Sequence, residues 1–274
     1  MNETTLPSTI GLIAGEGRFP FLVVEEAKRK GIGVITVGIE GEADPALESE
    51  CDSFVWIGLG DVSRCVRAFR DAGVSRAIMA GRVRHVRAFQ ILKPDWLMLK
   101  ILARLPSRTT EAMLKTLADV LSEEGVELLD STVLLSSYLA DEGAMTRRKP
   151  NKRDLDDIRF GASKARDLAA SDIGQTVVVK GKSIVSAEAM EGTDAAIRRA
   201  RDVVEGPFVV VKVARPSQDT RFDVPVVGPT TIASMMAAGA GVLALEAGRV
   251  LLLERDELLR NADANDIAVY GFAQ

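Results

Sequence analysis

The sequence predicts an α/β protein in two parts. Residues 1–130 read as a Rossmann-like parallel-sheet domain, and residues 131–274 as a mixed α/β domain. Three observations lead there. Short apolar runs alternate with amphipathic stretches until near residue 90, the signature of a parallel, doubly wound sheet. A glycine-rich turn, "AGEGRFP", joins the first run to the first amphipathic stretch. Beyond residue 170, two apolar runs stand only a Gly-Lys pair apart, which suits a hairpin and breaks the alternation.

Taken in order, "TIGLIAG" is a buried strand. "FPFLVVEEAKRKG" is a helix with one apolar face, stopped by Gly31. "IGVITVGIE" and "SFVWIGLG" are the next strands. The helix "DVSRCVRAFRDAG" follows with Asp61 at its N-cap, and then the strand "SRAIMAGRV". Two helical stretches, "DWLMLKILARL" and "TEAMLKTLADVLSEEG", complete the first part. The second part opens on "STVLLSSYLADEG", read as a helix, and a basic loop, "TRRKPNKRD". A helix over "LDDIRFGASKARDLAASD" leads to the strands "QTVVVKG", "KSIVSAEA" and "PFVVVKVA". The helix "GTDAAIRRARDVV", with Thr193 as a candidate N-cap, lies between the last two. "AGVLALEAG" and "RVLLLERDELLRNAD" supply strand, turn, strand and short helix.

Composition removes several function classes. The 274 residues are 47% hydrophobic, enough for a full core, and a net charge of -4 argues against a general nucleic-acid binder. Two cysteines make no disulfide framework, so a reducing cytoplasm is expected. The start lacks a signal peptide's basic and apolar regions, and no run is long and apolar enough to span a membrane. The single histidine, His85, excludes His-based triads and His-rich metal sites. A metal would therefore be held by oxygen, which favours Mg2+ or Mn2+.

Three constellations carry candidate chemistry. In "AGEGRFP", Gly15, Gly17 and Arg18 stand where a backbone can approach a phosphate at a helix N-terminus. Glu40 ends the second strand, where a dinucleotide enzyme keeps its ribose-binding acid. Any strand–helix turn also favours glycine. In "AEAMEGTDAAIRRA", Glu188, Glu191 and Asp194 straddle a turn at Gly192 and a helix start at Thr193. They can bind a divalent ion or simply complement a helix dipole. In "KVARPSQDTRFDVPVVG", Lys212, Arg215 and Arg221 can neutralise phosphate, and Asp219 and Asp223 can bind metal or polarise water. Asp219 and Arg221 could equally form a surface ion pair. Asp223 stands between Phe222 and Val224-Pro225, an apolar setting that calls for a metal or a basic partner. Together the mixture suits metal-assisted cleavage of a phosphate ester or pyrophosphate.

Read in order, "GLIAGEGRFP", "GRV", "DIGQTVVVKG", "EAMEGTDAAIRRA" and "QDTRFDVPVVGPTTI" resemble the UDP-2,3-diacylglucosamine pyrophosphatases of lipid A biosynthesis, the type unrelated to calcineurin-like phosphoesterases. The likeness covers nearly the whole chain. It implies Mg2+-dependent hydrolysis of a nucleotide-activated lipid to UMP and 2,3-diacylglucosamine 1-phosphate, with Mn2+ as the alternative ion. It implies an essential role for Asp223. The site expected on these grounds comprises Asp223, Asp219, Arg221 and Lys212 for chemistry. Gly15, Gly17, Arg18, Gly81, Gly192, Thr193 and Gln218 are expected for substrate, and Asp223, Asp219, Glu188, Glu191 and Asp194 for metal. The expected setting is the inner face of a Gram-negative inner membrane, with homodimer formation left open. The apolar stretch "FQILKPDWLMLKILARLP" can line an acyl groove, lie on a bilayer, or cover its own sheet. The basic "RRKPNKR" suits an anionic membrane surface or plain solvation. A nucleotide-dependent oxidoreductase and a non-catalytic nucleotide or lipid binder are the competing readings.

Overall fold

The computed structural model describes residues 6–83, 93–107, 109–216 and 218–273. His85 and the first residues of the "FQILKPDW" stretch lie outside them. Two compact units divide the chain. One comprises Met1–Leu135 and Thr220–Phe222, the other Ser136–Asp219 and Asp223–Gln274.

In the first unit, strands β1 (Thr9–Ala14), β2 (Gly33–Ile39), β3 (Ser53–Ile57), β4 (Arg76–Ala80) and β5 (Glu127–Leu128) form one sheet. Their order is β3-β2-β1-β4-β5, and every pairing is parallel. The strands read as apolar runs because helices can bury both faces of such a sheet. Helices α1 (Phe19–Arg29), α2 (Val62–Asp71), α3 (Trp96–Arg104) and α4 (Thr110–Glu123) join them. One core packs Val37, Ile57, Val66, Phe69, Leu97, Ile101 and Leu121. Asp61 does stand at the N-cap of α2, but its carboxylate accepts from the Gly58 N–H. The Ser63 N–H of that helix is taken instead by Asp95, which also caps α3 through Met98.

The expected helix over "STVLLSSYLADEG" is absent. The chain makes turns there and a single 3-10 turn at Ser136–Tyr138. Asp130 accepts from the Thr132 backbone N–H and hydroxyl, and Val133 and Leu135 bond back three residues. Asp, Ser and Thr side chains compete with the helical backbone in this way.

In the second unit, β6 (Gly143–Ala144), β7 (Thr176–Lys180), β8 (Ser183–Ala187), β9 (Val209–Lys212), β11 (Val242–Glu246) and β13 (Ala268–Phe272) form a mixed sheet. Its order is β6-β13-β11-β9-β7-β8. The β9, β11 and β13 strands run parallel, whereas β7 opposes both β9 and β8. β10 (Val226–Val227) and β12 (Leu251–Leu252) pair separately. Period-two alternation divides the valines. Val177, Val179, Val209 and Val211 pack with Ile158, Ala162 and Ala165 of α5 (Lys152–Ala170). Val178 and Val210 face the other way, with Ile197 of α6 (Thr193–Ala200), Met235 of α7 (Pro229–Ala238) and Leu258 of α8 (Arg255–Ala264). Strand β13 and helix α7 add to the elements expected from sequence.

Candidate active site

The register of the second sheet lines up one edge. Thr176 opens β7 and pairs with Lys212, the last residue of β9, and Lys212 is next to Leu245 on β11. Glu188, just past β8, donates its backbone N–H to Thr176. The row Glu188–Thr176–Lys212–Leu245, with Glu246 one residue further on β11, therefore runs along the carboxyl edge of the parallel strands, where α/β sheets bind ligands.

Lys212 points to the same face as Val210, toward the first turn of α6. It is 6% exposed. Its Nζ donates to Thr193 Oγ1 at 2.7 Å, and that hydroxyl donates to Glu188 Oε1 at 2.8 Å. Glu188 Oε2 accepts the Gln175 N–H at 3.2 Å. Thr193 is the first residue of the helix, not its cap; Gly192, at φ 83°, holds the cap position. This placement frees the threonine hydroxyl to link acid and base. Burial pushes the Lys212 ammonium below its ordinary pKa, against the charges of Glu188, Asp194 and Asp223. Burial also opposes ionisation of Glu188. The Lys212 charge and the Thr176 and Thr193 hydroxyls outweigh it and hold this carboxyl below its ordinary value.

Two buried atoms here lack partners among the described residues, Asp194 Oδ1 and Gln218 Nε2. Gln218 is folded back on the loop, its Oε1 accepting the Arg215 N–H at 2.7 Å. The Arg215 guanidinium lies 3.5 Å from Asp223 and 3.2 Å from Asp172. The basic partner demanded for Asp223 is thus Arg215. The apolar setting was overstated, because the Asp223 side chain is 45% exposed: Phe222 belongs to the other unit and packs on its core. Asp223 also bonds through its N–H to the Asp219 carbonyl at 3.0 Å. Glu191 lies apart from Lys212, paired with Arg199 at 2.6 Å. Sequence reasoning passed over Thr176 and Glu246. Glu246 is 1% exposed and accepts the Ala214 N–H beside Arg215. A threonine opening an all-valine strand was the available signal for the first.

Gly15, Gly17 and Gly81 belong to the first unit. Gly15 donates to Ala80 O at 2.8 Å, and Glu16 exchanges two backbone bonds with Arg82. A Cβ on Gly15 would lie 2.7 Å from Arg82 O, and one on Gly81 the same distance from the Gly15 carbonyl carbon. These two glycines let the loops after β1 and β4 join backbone to backbone at the sheet's switch point. Gly17, at φ 102°, is different, because a Cβ there meets open space. Arg18 pairs with Glu25 at 2.7 Å and lies over the Phe21 ring. Arg221 also falls in this unit and lies over Phe222. Thr220–Phe222 is anchored by Ser131, whose N–H donates to Thr220 O and whose hydroxyl lies within reach of Met79 O and Arg221 O. The "QDTRFD" block thus divides between the units. Asp219 and Asp223 belong to one, and the three residues inside them to the other.

Comparison with known proteins decides the family. Residues 9–138 match the family model described as the LpxI N-terminal domain, and residues 141–270 the LpxI C-terminal domain. The chain belongs to the LpxI family. It is 30% identical over 273 residues to the UDP-2,3-diacylglucosamine pyrophosphatase LpxI of Caulobacter vibrioides, covering 96% of each chain. Solved structures resemble it weakly. The N5-carboxyaminoimidazole ribonucleotide synthetase of Thermotoga maritima is 16% identical over 72% of this chain and 44% of its own, with a TM-score of 0.25. The protein gox2253 is 13% identical over 96% of this chain and 89% of its own, with a TM-score of 0.28. Neither value carries an argument.

The carboxylates offer the Mg2+ expected from sequence no ready cage. Among the described residues, no three His, Cys, Asp or Glu side chains gather as a metal would require. Both Glu188 oxygens are engaged, Glu191 is turned to Arg199, and Asp223 lies beside Arg215. The residues as folded do not form a cage for the ion.

Proposed function

We propose that this LpxI-family chain hydrolyses the pyrophosphate of UDP-2,3-diacylglucosamine, giving UMP and 2,3-diacylglucosamine 1-phosphate for lipid A synthesis. The observation that carries the reading is 30% identity to the Caulobacter pyrophosphatase over 96% of each chain. The acid–base edge of the second unit gives it chemistry. Lys212 and Arg215 supply positive charge for non-bridging phosphate oxygens, and Gln218 Nε2 is a buried donor awaiting an acceptor. Asp223, partly exposed beside Arg215, takes a proton from the attacking water. The water oxygen bonds to one phosphorus as that phosphorus's bond to the bridging oxygen breaks, and two phosphate monoesters leave. Gly17 and Gly192, each with open space over its α-carbon, leave their backbone accessible to a ligand.

Requirement for Mg2+, with Mn2+ as substitute, belongs to the same proposal, as does work at the cytoplasmic membrane surface. Trp96, Leu99 and Leu102 expose an apolar face on α3 that suits the latter. Among the described residues no helix is long and apolar enough to cross a membrane. The test is UMP release from UDP-2,3-diacylglucosamine, with and without EDTA, in wild type and Asp223→Ala. The variant is expected to lose about 10^2- to 10^4-fold in kcat while still binding substrate. Wild-type turnover by a folded Asp223→Ala protein would refute the assignment.

A further inference from the structure

We infer that in the free protein Lys212, and no divalent ion, is the counter-cation of Glu188 and the neighbouring Asp194, while Arg215 serves Asp223. The inference rests on the geometry of this edge and does not depend on which pyrophosphate is cleaved. A resident Mg2+ needs six oxygens at about 2.0–2.1 Å, supplied by one or two carboxylates and by water. Both Glu188 oxygens that could supply it are already engaged. The Lys212 ammonium is buried at the strand end and bonded to Thr193 Oγ1. Through this hydroxyl it is tied to Glu188 Oε1, while Glu188 Oε2 is held by the Gln175 N–H. Asp223 lies beside Arg215. Among the described residues, Asp194 Oδ1 is the one buried carboxylate oxygen without a hydrogen-bond partner. It is adjacent in sequence to the threonine that holds the ammonium.

A dication at this oxygen would press against a desolvated ammonium, and such repulsion is strong away from water. An ammonium also has three donors, of which one is spent on Thr193, so it can serve the acids without help. A divalent ion therefore joins only when an anionic ligand brings further oxygens and negative charge.

The test uses Mn2+ as probe and no substrate. Equimolar Mn2+ and protein are examined by electron paramagnetic resonance, in which bound Mn2+ loses its sharp aqueous signal. Wild type is expected to leave the signal undiminished. Lys212→Met is expected to take up Mn2+ at least about tenfold more tightly. Uptake of Mn2+ by wild type that Asp194→Asn abolishes would overturn the inference. So would equal binding, or equal absence of binding, in wild type and a folded Lys212→Met protein. Should Lys212→Met not fold, Lys212→Gln replaces it. The melting temperature of wild type gives an independent reading: no rise with MgCl2 over KCl of equal ionic strength supports the inference, and a rise overturns it. Failure of the hydrolysis assay would leave this titration untouched.

Discussion

Replacing Thr193 by valine removes one hydroxyl and little volume. That hydroxyl accepts from Lys212 at 2.7 Å and donates to Glu188 at 2.8 Å. The variant strips a bond from a buried cation and another from a mostly buried anion. Bonds to charged groups contribute about 1.5–3 kcal/mol each. Glu188 keeps the Gln175 N–H, so the combined loss should fall short of the full sum of about 3–6 kcal/mol, at about 2–4 kcal/mol. Tryptophan fluorescence cannot read this, since Trp56 and Trp96 both belong to the first unit. Amide hydrogen exchange in β7 and β9 can. At tenfold per 1.4 kcal/mol, exchange there should quicken by roughly 30- to 1,000-fold. Thr193→Ser keeps the hydroxyl and should stay within about tenfold of wild type. If Thr193→Val exchanges within about twofold of wild type, the chain of bonds contributes nothing to the fold and the reasoning fails.

Two further outcomes are expected. Gly15→Ala forces a methyl to 2.7 Å from Arg82 O and should cost about 1–3 kcal/mol. Gly17→Ala meets open space at φ 102° and should cost only about 1 kcal/mol of backbone strain; fluorescence-detected urea unfolding ranks the pair, and the reverse order would count against the backbone-contact reading. The Glu188 carboxyl is held below its ordinary value by Lys212 and two hydroxyls acting against burial, so its stabilisation is complete above that ordinary value and is lost as pH falls through the folded one. The stability gap between wild type and Glu188→Gln should therefore be flat from about pH 8 to 5 and narrow below about pH 4; a gap that widens on acidification would contradict the described pairing.

Local chemistry made much of this protein readable in one dimension. Apolar runs, glycine stops and the Gly181-Lys182 turn each act within a few residues, so β1 to β4, the β7–β8 hairpin and α5 could be placed from sequence. Helix α7 was missed although Pro229 opens it and Gly239 closes it. "PTTIASMMAA" has no charged face, and only burial on the sheet settles its conformation. The segment after Asp130 was misread because its apolar spacing suits a helix while its Asp, Thr and Ser side chains bond locally and to Met79 and Arg221. Charged residue types sufficient for phosphate chemistry were also visible, and among them Glu188 and Lys212 are joined through Thr193 while Asp223 lies beside Arg215.

Which acid meets which base was a tertiary decision. Strand register sets Thr176 beside Lys212, and the position of α6 brings the Thr193 hydroxyl onto Nζ. Glu191, three residues from Glu188, turns away to Arg199 because the helix start intervenes. The glycine loop shows the same limit. Sequence says that Gly15, Gly17 and Gly81 free the backbone. Only the paired loops after β1 and β4 show that two of them spend that freedom on each other and one does not. A side chain's type and its nearest neighbours are written in the chain. Its partner across the sheet depends on where distant strands and helices come to rest, and no local rule encodes that.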